Sequence, residues 1–545
     1  MVAAAACSGG GGAAGKQPAE GQSFTLFVTT ELRGTIEPCG CTSDPLGDLA
    51  RTAFLIARAR AGKDAVLYVD GGSTLFQDVK IAPHLLHQET LKADLLVRAL
   101  TGPLGAAAIG LGPNDLARGV EAVQPPRHAV NVKQDSGVAI EPPEVVEVGG
   151  VRVGLFGVVA PAAVEKFGVK ASEPATAARI AVEALRRQSA QVIVALAHMP
   201  RREAIALARE VDGLDLVVIG QGAPEPTEVM SAPSRVGGSW LVQPANRGQV
   251  VTRIDVTVRG GGPLVDAVGE ARAREQIARL NERIAELEQK LPGWEKDHGA
   301  DPEFVAQQKR DLDEARAERD HLRAQPLRVP EQGNWFVMEQ VRIAKALPCD
   351  GAVQADKQAY DKVVGEANVK AAAGKQPPPA PDGQAEYVGI GCGEGCHDHD
   401  DDIAFWKKTR HAGAWETLEK VSKQYNFDCT SCHVTGWDQP GGSTLANVAD
   451  YVDVHCETCH GPGSLHEDAP KKVDMPLAPP RELCERCHSP EHSDTFDYTA
   501  YLRDVTGKGH GEKFRKALGD GATGRELRKA ALDRAGRTLG AGCVK

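Results

Sequence analysis

Cys429-Thr430-Ser431-Cys432-His433, Cys456-Glu457-Thr458-Cys459-His460 and Cys484-Glu485-Arg486-Cys487-His488 repeat one pattern, C-x-x-C-H, within sixty residues. Two thiols at this spacing reach the two vinyl groups along one edge of a haem, and the next residue sets an imidazole beneath the iron. Cys392, Cys396 and His397 form a fourth copy with one extra residue between the cysteines. Zinc and disulfides also use paired cysteines. Zinc ribbons draw ligands from two paired motifs, however, whereas here every pair carries its own histidine in the following position. The reading is four covalently bound haem c groups, held by Cys392, Cys396, Cys429, Cys432, Cys456, Cys459, Cys484 and Cys487, with His397, His433, His460 and His488 under the irons.

Each iron takes a second axial ligand, and His399, His411, His455, His466, His492 and His510 are the spare histidines nearby. Four large planar cofactors supply most of an apolar core, so short helices and long wrapping loops are expected here. The acidic run Asp398, Asp400, Asp401 and Asp402 reads as a solvated turn beside the first motif.

The 545-residue chain is too long for one core and carries a formal net charge of -11. That balance argues against a nucleic-acid partner, since phosphate binding needs basic surface. Redox partner proteins are expected instead. No run of 18 apolar residues is available to span a bilayer. Met1 to Gly12 is an alanine run ending at Cys7 and followed by glycines, similar to the end of a lipoprotein signal in which Cys7 would be lipidated; a disordered tail is the alternative. The expectation is export to the periplasm or outer membrane of a Gram-negative-type bacterium, with a lipid anchor.

Upstream, apolar β-rich runs at Phe24-Thr29, Val66-Asp70, Val151-Val159, Val192-His198, Leu216-Ile219 and Val250-Val258 alternate with helical patterns at Leu49-Ala61 and Ala177-Arg187. This predicts an α/β domain. Ile277, Leu280, Ile284, Leu287 and Leu291 then predict a helical hairpin, with Pro292-Gly293 and Gly299 to Pro302 as interruptions. Pro377, Pro378, Pro379 and Pro381 stiffen a linker. The expected division is a tail 1–22, an α/β domain 23–265, a hairpin and connecting segment 266–370, the linker 371–383, a mainly α or irregular haem domain 384–515 and a tail 516–545.

Tyr387-Val388-Gly389, Phe405-Trp406-Lys407-Lys408-Thr409-Arg410-His411, and Cys456-His460 continuing through Gly461-Pro462-Gly463-Ser464-Leu465-His466 resemble the tetrahaem cytochrome c family of nitrifying bacteria. Tyr498 to Tyr501 leading to His510-Gly511 is similar as well. The resemblance spans about Glu386 to Gly511 and implies that His411, His466 and His510 are distal ligands. One of four irons would then be five-coordinate. The extra residue between Cys392 and Cys396 departs from the family pattern.

Ser23 to Val258 is similar to calcineurin-like metallophosphoesterases of the periplasmic nucleotidase group, which implies a β-sandwich flanked by helices. The family carries D-x-H-G, G-D, G-N-H-E, a single His and G-H-x-H, which together hold two metals. Here the matching segments read Glu31-Leu32-Arg33-Gly34, Gly72-Ser73, Gly112-Pro113-Asn114-Asp115, His198 and Gly220-Gln221-Gly222-Ala223-Pro224. Arg33 cannot ligate a cation, Ser73 replaces a carboxylate, and Gly222 and Pro224 offer no imidazole. Two remaining ligands, Glu31 and His198, cannot assemble a two-metal site, which predicts a pseudoenzyme with no catalytic residues. Cys39 and Cys41 are foreign to that pattern, and with Cys349 and Cys543 they allow three disulfide pairings.

The expectation is therefore an electron-transfer protein whose α/β domain serves as scaffold or docking surface. The alternatives are a haem redox enzyme acting on a small nitrogen or sulfur compound at an open iron, and a divergent phosphoesterase.

Overall fold

The computed structural model describes residues 21–38, 42–62, 65–220, 232–267, 270–296, 302–324, 332–389, 401–473, 475–490, 492–536 and 543. The α/β domain begins with β1 (Gln22–Thr29), α1 (Leu49–Ala61), β2 (Val66–Asp70), α2 (Leu86–Thr101) and β3 (Ala106–Ile109). Two short strands, β4 (Arg127–His128) and β5 (Ile140–Glu141), precede β6 (Glu144–Val148), β7 (Val151–Val159), α3 (Pro161–Val164), α4 (Pro174–Arg187), β8 (Val192–His198), α5 (Arg201–Glu210) and β9 (Leu216–Ile219). Then follow β10 (Ser234–Val236), β11 (Ser239–Val242), β12 (Val250–Val258), β13 (Leu264–Asp266), α6 (Glu270–Lys296), α7 (Pro302–Ala324), β14 (Asn334–Arg342) and α8 (Gly351–Ala372). The apolar runs read from the sequence coincide with strands.

Two six-stranded sheets stack face to face, ordered β13-β14-β12-β1-β2-β3 and β10-β11-β9-β8-β7-β6. The period of two along each strand decides the layers. Phe24, Leu26 and Val28 meet Val192, Val194 and Leu196 between the sheets. The alternate residues Ile193, Ala195 and Ala197 instead pack with α4 and α5 residues such as Val182, Leu185 and Leu207, while Phe27 and Tyr68 pack with residues of α1, α2 and α8. Strands buried on both faces read as continuous apolar runs.

β14 pairs antiparallel with β12 in an eight-residue register from Val250↔Arg342 to Thr257↔Trp335. The sheet therefore takes in a strand from the segment read only as a connection, and Val353, Tyr360 and Val364 of α8 join the helical layer over it. Between them, α6 and α7 form the expected hairpin. Arg316 reaches Glu288, and Lys309 reaches Glu295, as antiparallel helices require. Ile284, Leu287 and Leu291 bury their side chains against Leu312 and Ala315. Pro292 lies inside α6, which continues to Lys296, so the first sequence interruption does not mark the turn.

The linker is laid against the cysteine-motif region: Gly441 N–H donates to Pro378 O at 3.2 Å, and Ala380 N–H donates to Glu386 Oε1 at 3.0 Å. Beyond it come short helices separated by loops. They include Asp401–Trp406, Ala414–Glu419, Phe427–Thr430, Cys456–His460, Ser464–Asp468, Arg481–Glu485 and Tyr498–Val505. The buried apolar cluster here consists of Trp415, Val434 and Val448 with a few half-buried neighbours. The last helix, Gly524–Arg534, opens with a Thr523/Glu526 capping box.

Candidate functional site

The loops after β1, β2, β3 and β8 bring the strand-end residues of the α/β domain together. His198 Nε2 lies 2.6 Å from Glu31 Oε1 and 3.0 Å from Ser73 Oγ. Glu31 Oε2 accepts from Arg33 Nε at 2.6 Å and meets Arg33 Nη2 at 2.6 Å. Asp115 accepts from the N–H groups of Ser73, Thr74, Leu75 and Gly112. Asn114 Nδ2 donates to the carbonyls of Phe76 and Gln77. Glu31, Ser73, Asp115 and His198 are all at most 2% exposed. The guanidinium occupies the carboxylate a metal would need, and a Cβ on Gly112 would clash with Ser73 and His198. This is a closed polar core that does not fit two metal ions. Gln221, Gly222, Ala223 and Pro224 lie outside the described residues.

In the C-terminal region each of the three regular cysteine motifs begins on a short helical turn, where residues three apart share a face. Asn426 caps the turn carrying Cys429 by accepting from Asp428 N–H at 2.9 Å. Cys456–His460 forms one turn closed by Gly461 at φ +84°, a backbone conformation that favours glycine. Within it Glu457 is 1% exposed, and its carboxylate accepts from Val388, Gly389 and Gly463 N–H at 2.7–3.0 Å. Burial pushes that carboxyl up while the three N–H groups pull it down. The pattern C-x-x-C-H treats this position as arbitrary, yet it ties the segments before and after the motif to it.

The histidines share a second property. Nδ1 of His433, His460 and His466 donates to the carbonyls of Ala414, Pro476 and Val473 at 2.6, 2.5 and 2.6 Å. His510 Nδ1 lies 2.7 Å from Asp402 Oδ1, and His488 Nδ1 lies 3.2 Å from Ser493 Oγ. A ring held through Nδ1 presents Nε2 to a metal in a fixed orientation. His411 and His488 stand with ring centroids 6.2 Å apart, and His460 and His510 6.0 Å apart. Two imidazoles sharing one metal at about 2 Å from each nitrogen have centroids roughly 6 Å apart, so both pairs fit one iron between them. Burial pushes His411 down; burial, then the charge of His411, pushes His488 down to about 4. Burial thus favours the neutral imidazole at both positions, the form that ligation requires. The six cysteines of the regular motifs are half-buried thiols, so the residues present suit haem c.

The segment entering the first regular motif is docked on the α/β domain. Lys92 Nζ of α2 lies 2.9 Å from Asp428 Oδ2, and Gln88 Oε1 accepts from Phe427 N–H at 3.1 Å. Asn368 of α8 donates to Tyr425 O at 2.9 Å, and Lys423 pairs with Glu37. Farther along, Ser43 N–H donates to Asp494 Oδ1 at 3.0 Å, which also meets Arg528 Nη1. Cys349 and Cys543 form a disulfide with Cα atoms 5.7 Å apart, which excludes the pairings of either with Cys39 or Cys41.

Cys7, Cys39, Cys41, His399 and the fourth motif, Cys392, Cys396 and His397, lie outside the described residues. Among the described residues, no helix is long and apolar enough to cross a membrane.

Residues 391–461 match the family model of cytochrome c554 and c-prime. Cytochrome c-554 of Nitrosomonas europaea is 37% identical over 19% of this chain; the match spans 60% of the length of that relative. Among solved structures, the 5′-nucleotidase precursor of Thermus thermophilus aligns over 63% of this chain and 59% of its own, at 18% identity and a TM-score of 0.40. A calcineurin-like phosphoesterase of Bacillus subtilis aligns over 44% and 86%, at 19% identity and a TM-score of 0.36. The C-terminal region of the chain is thus similar to cytochrome c-554.

Proposed function

We propose that this protein is an exported multihaem c-type cytochrome that passes electrons between redox partner proteins, its α/β domain acting as a scaffold without hydrolase activity. One observation carries the reading: His433, His460 and His488 are anchored through Nδ1, and two of them, His460 and His488, each stand opposite another histidine at a spacing that suits a single iron. Four haem c groups are held by the eight motif cysteines. His433, His460, His488 and His397 are the proximal ligands, His411 is the partner of His488, and His510 the partner of His460. His466 is the third distal ligand. Haem iron supplies one-electron chemistry. The chain fixes ring orientation through the Nδ1 acceptors, and burial disfavours the charged form of His411 and His488. Cys7 lipidation would tether the protein to a membrane.

The test is production with a cytochrome maturation system, followed by intact mass and spin-state spectroscopy. Four covalent haem additions are expected, and His411→Ala and His510→Ala should each add one high-spin iron. A mature product without added porphyrin overturns the proposal. A second reading, an open iron that binds a small ligand, follows from three distal histidines serving four irons. Carbon monoxide should then alter the spectrum of one reduced haem, and an unchanged spectrum removes this reading alone.

A further inference from the structure

Where the haem domain meets the α/β domain, a mostly buried carboxylate has an oxygen with no hydrogen-bond partner. Asp361 on α8 has its side chain 12% exposed, with Oδ2 4.0 Å from Lys423 Nζ. Its Oδ1 is fully buried and unbonded, and Asn426 supplies its side-chain hydrogen bond. Charged groups face it from every neighbouring element. Lys357 comes from α8 itself, beside the neutral Tyr360 hydroxyl, Glu37 and Asp48 from the loop before α1, Arg51 from α1, and Glu89 and Lys92 from α2. Lys423 and Asp428 come from the haem-domain segment. With Asp361 included, five carboxylates meet three ammonium groups and one guanidinium, an excess of one negative charge in a poorly hydrated place. A buried carboxylate without full compensation takes a proton more readily than one in water.

Asp428 immediately precedes Cys429, and Lys423 interacts electrostatically with both residues. An electron arriving at the haem carried by Cys429, Cys432 and His433 would add a second negative charge beside this cluster.

We propose that Asp361 is the redox-linked proton acceptor for that haem. The inference rests on the haem reading above. Asp361 takes one proton from solvent as an external one-electron donor reduces the iron from the ferric to the ferrous state. It releases the proton on reoxidation, so the local charge is the same in both states. Burial, reinforced by Asp428 and opposed by Lys357 and Asn426, pushes the Asp361 carboxyl up to about 7, close to working pH. The sign follows: the reduced form binds the proton more tightly, so the midpoint potential of this haem falls as pH rises through neutrality.

The test uses the full-length haem-loaded protein, with haem content first fixed by intact mass. Redox titrations at several pH values around neutrality should show one haem whose potential falls with pH. Redox-difference infrared spectra of the wild type should show a protonated carboxylic acid gained on reduction. Asp361→Asn should remove both the slope and the infrared band while all haems remain attached. A wild-type potential that does not move with pH overturns the proposal without any variant, as does a slope that survives in Asp361→Asn. If intact mass shows no haem, the underlying reading fails as well, which separates the two failures.

Discussion

Lys92 Nζ on α2 lies 2.9 Å from the carboxylate of Asp428, the residue directly before Cys429. The same ammonium reaches Glu89 Oε1 at 2.5 Å. Burial alone would push Lys92 down, but Asp428 and Glu89 outweigh it and hold the ammonium well above its ordinary range. At this point of the domain contact one buried charge thus serves two acidic partners. Removing such a charge strands the partners, whereas removing one partner does not.

Lys92→Met is therefore expected to cost about 3 kcal/mol of stability. Asp428→Asn should cost less, because the Asp428 side chain is 41% exposed and hydrates when released. Urea unfolding of both variants checks the order; equal losses would contradict it.

The Arg33 fork on Glu31 has the opposite lesson for the strand-end cluster. If Arg33 merely blocked a dormant metal site, its removal would permit metal binding. The packing predicts instead that Arg33→Ala leaves Glu31 buried with its Oε2 unpaired and His198 as its remaining partner, at a cost of about 3 kcal/mol. No phosphoesterase activity is expected with manganese or zinc. Calorimetric metal titration and ester hydrolysis assays on this variant decide between the two.

Asp70 gives a pH dependence. It accepts from Thr29, Thr74 and Gly72, yet burial dominates and raises its carboxyl from 3.8 to about 6. The folded state therefore holds this proton more tightly than the unfolded chain. Its contribution is fully present below about pH 4 and is lost as pH rises through about 6. A rise of that size is worth about 3 kcal/mol. The stability of the wild type relative to Asp70→Asn should fall by about that amount between pH 4 and pH 7, read from urea unfolding at each pH.

Strands such as Val192–His198 are legible in the sequence because both faces are buried and the apolar run is unbroken. The cysteine motifs are legible because the attachment chemistry is local: five or six consecutive residues contain it. The ring pairs His411 with His488 and His460 with His510 are not, since each joins residues fifty or more positions apart through the fold. The family resemblance supplies His411 and His510 as distal ligands but not their partners. β14 is hidden because the hairpin separates it from β12, and nothing local tells Asn334–Arg342 which strand it will join. Glu457, Lys92 and Asp361 carry no signal at all; an acidic or basic residue on a helix reads as solvated until the opposing surface is known.

The Cys349–Cys543 disulfide ties the end of the chain to the start of α8, across a sequence separation of 194. Asp48 lies beside the two sulfurs, a trio that also has the composition of a cation site. Lys357 Nζ, however, sits 2.6 Å from Asp48 Oδ2 and supplies the positive charge itself. A cross-link closing so long a loop stabilises mainly by restricting the unfolded chain, by about 5 kcal/mol on the loop-entropy account. Cys349→Ser is expected to lower stability by up to that amount and to leave Cys543 reactive toward thiol reagents, while haem attachment is unchanged. Equal stability of Cys349→Ser and wild type under oxidising conditions would show that the terminal segment contributes nothing to the fold. Adding zinc to the reduced wild type tests the cation alternative: with Lys357 in place no restoration of stability is expected, and restoration would mean that the ammonium yields its position to a metal.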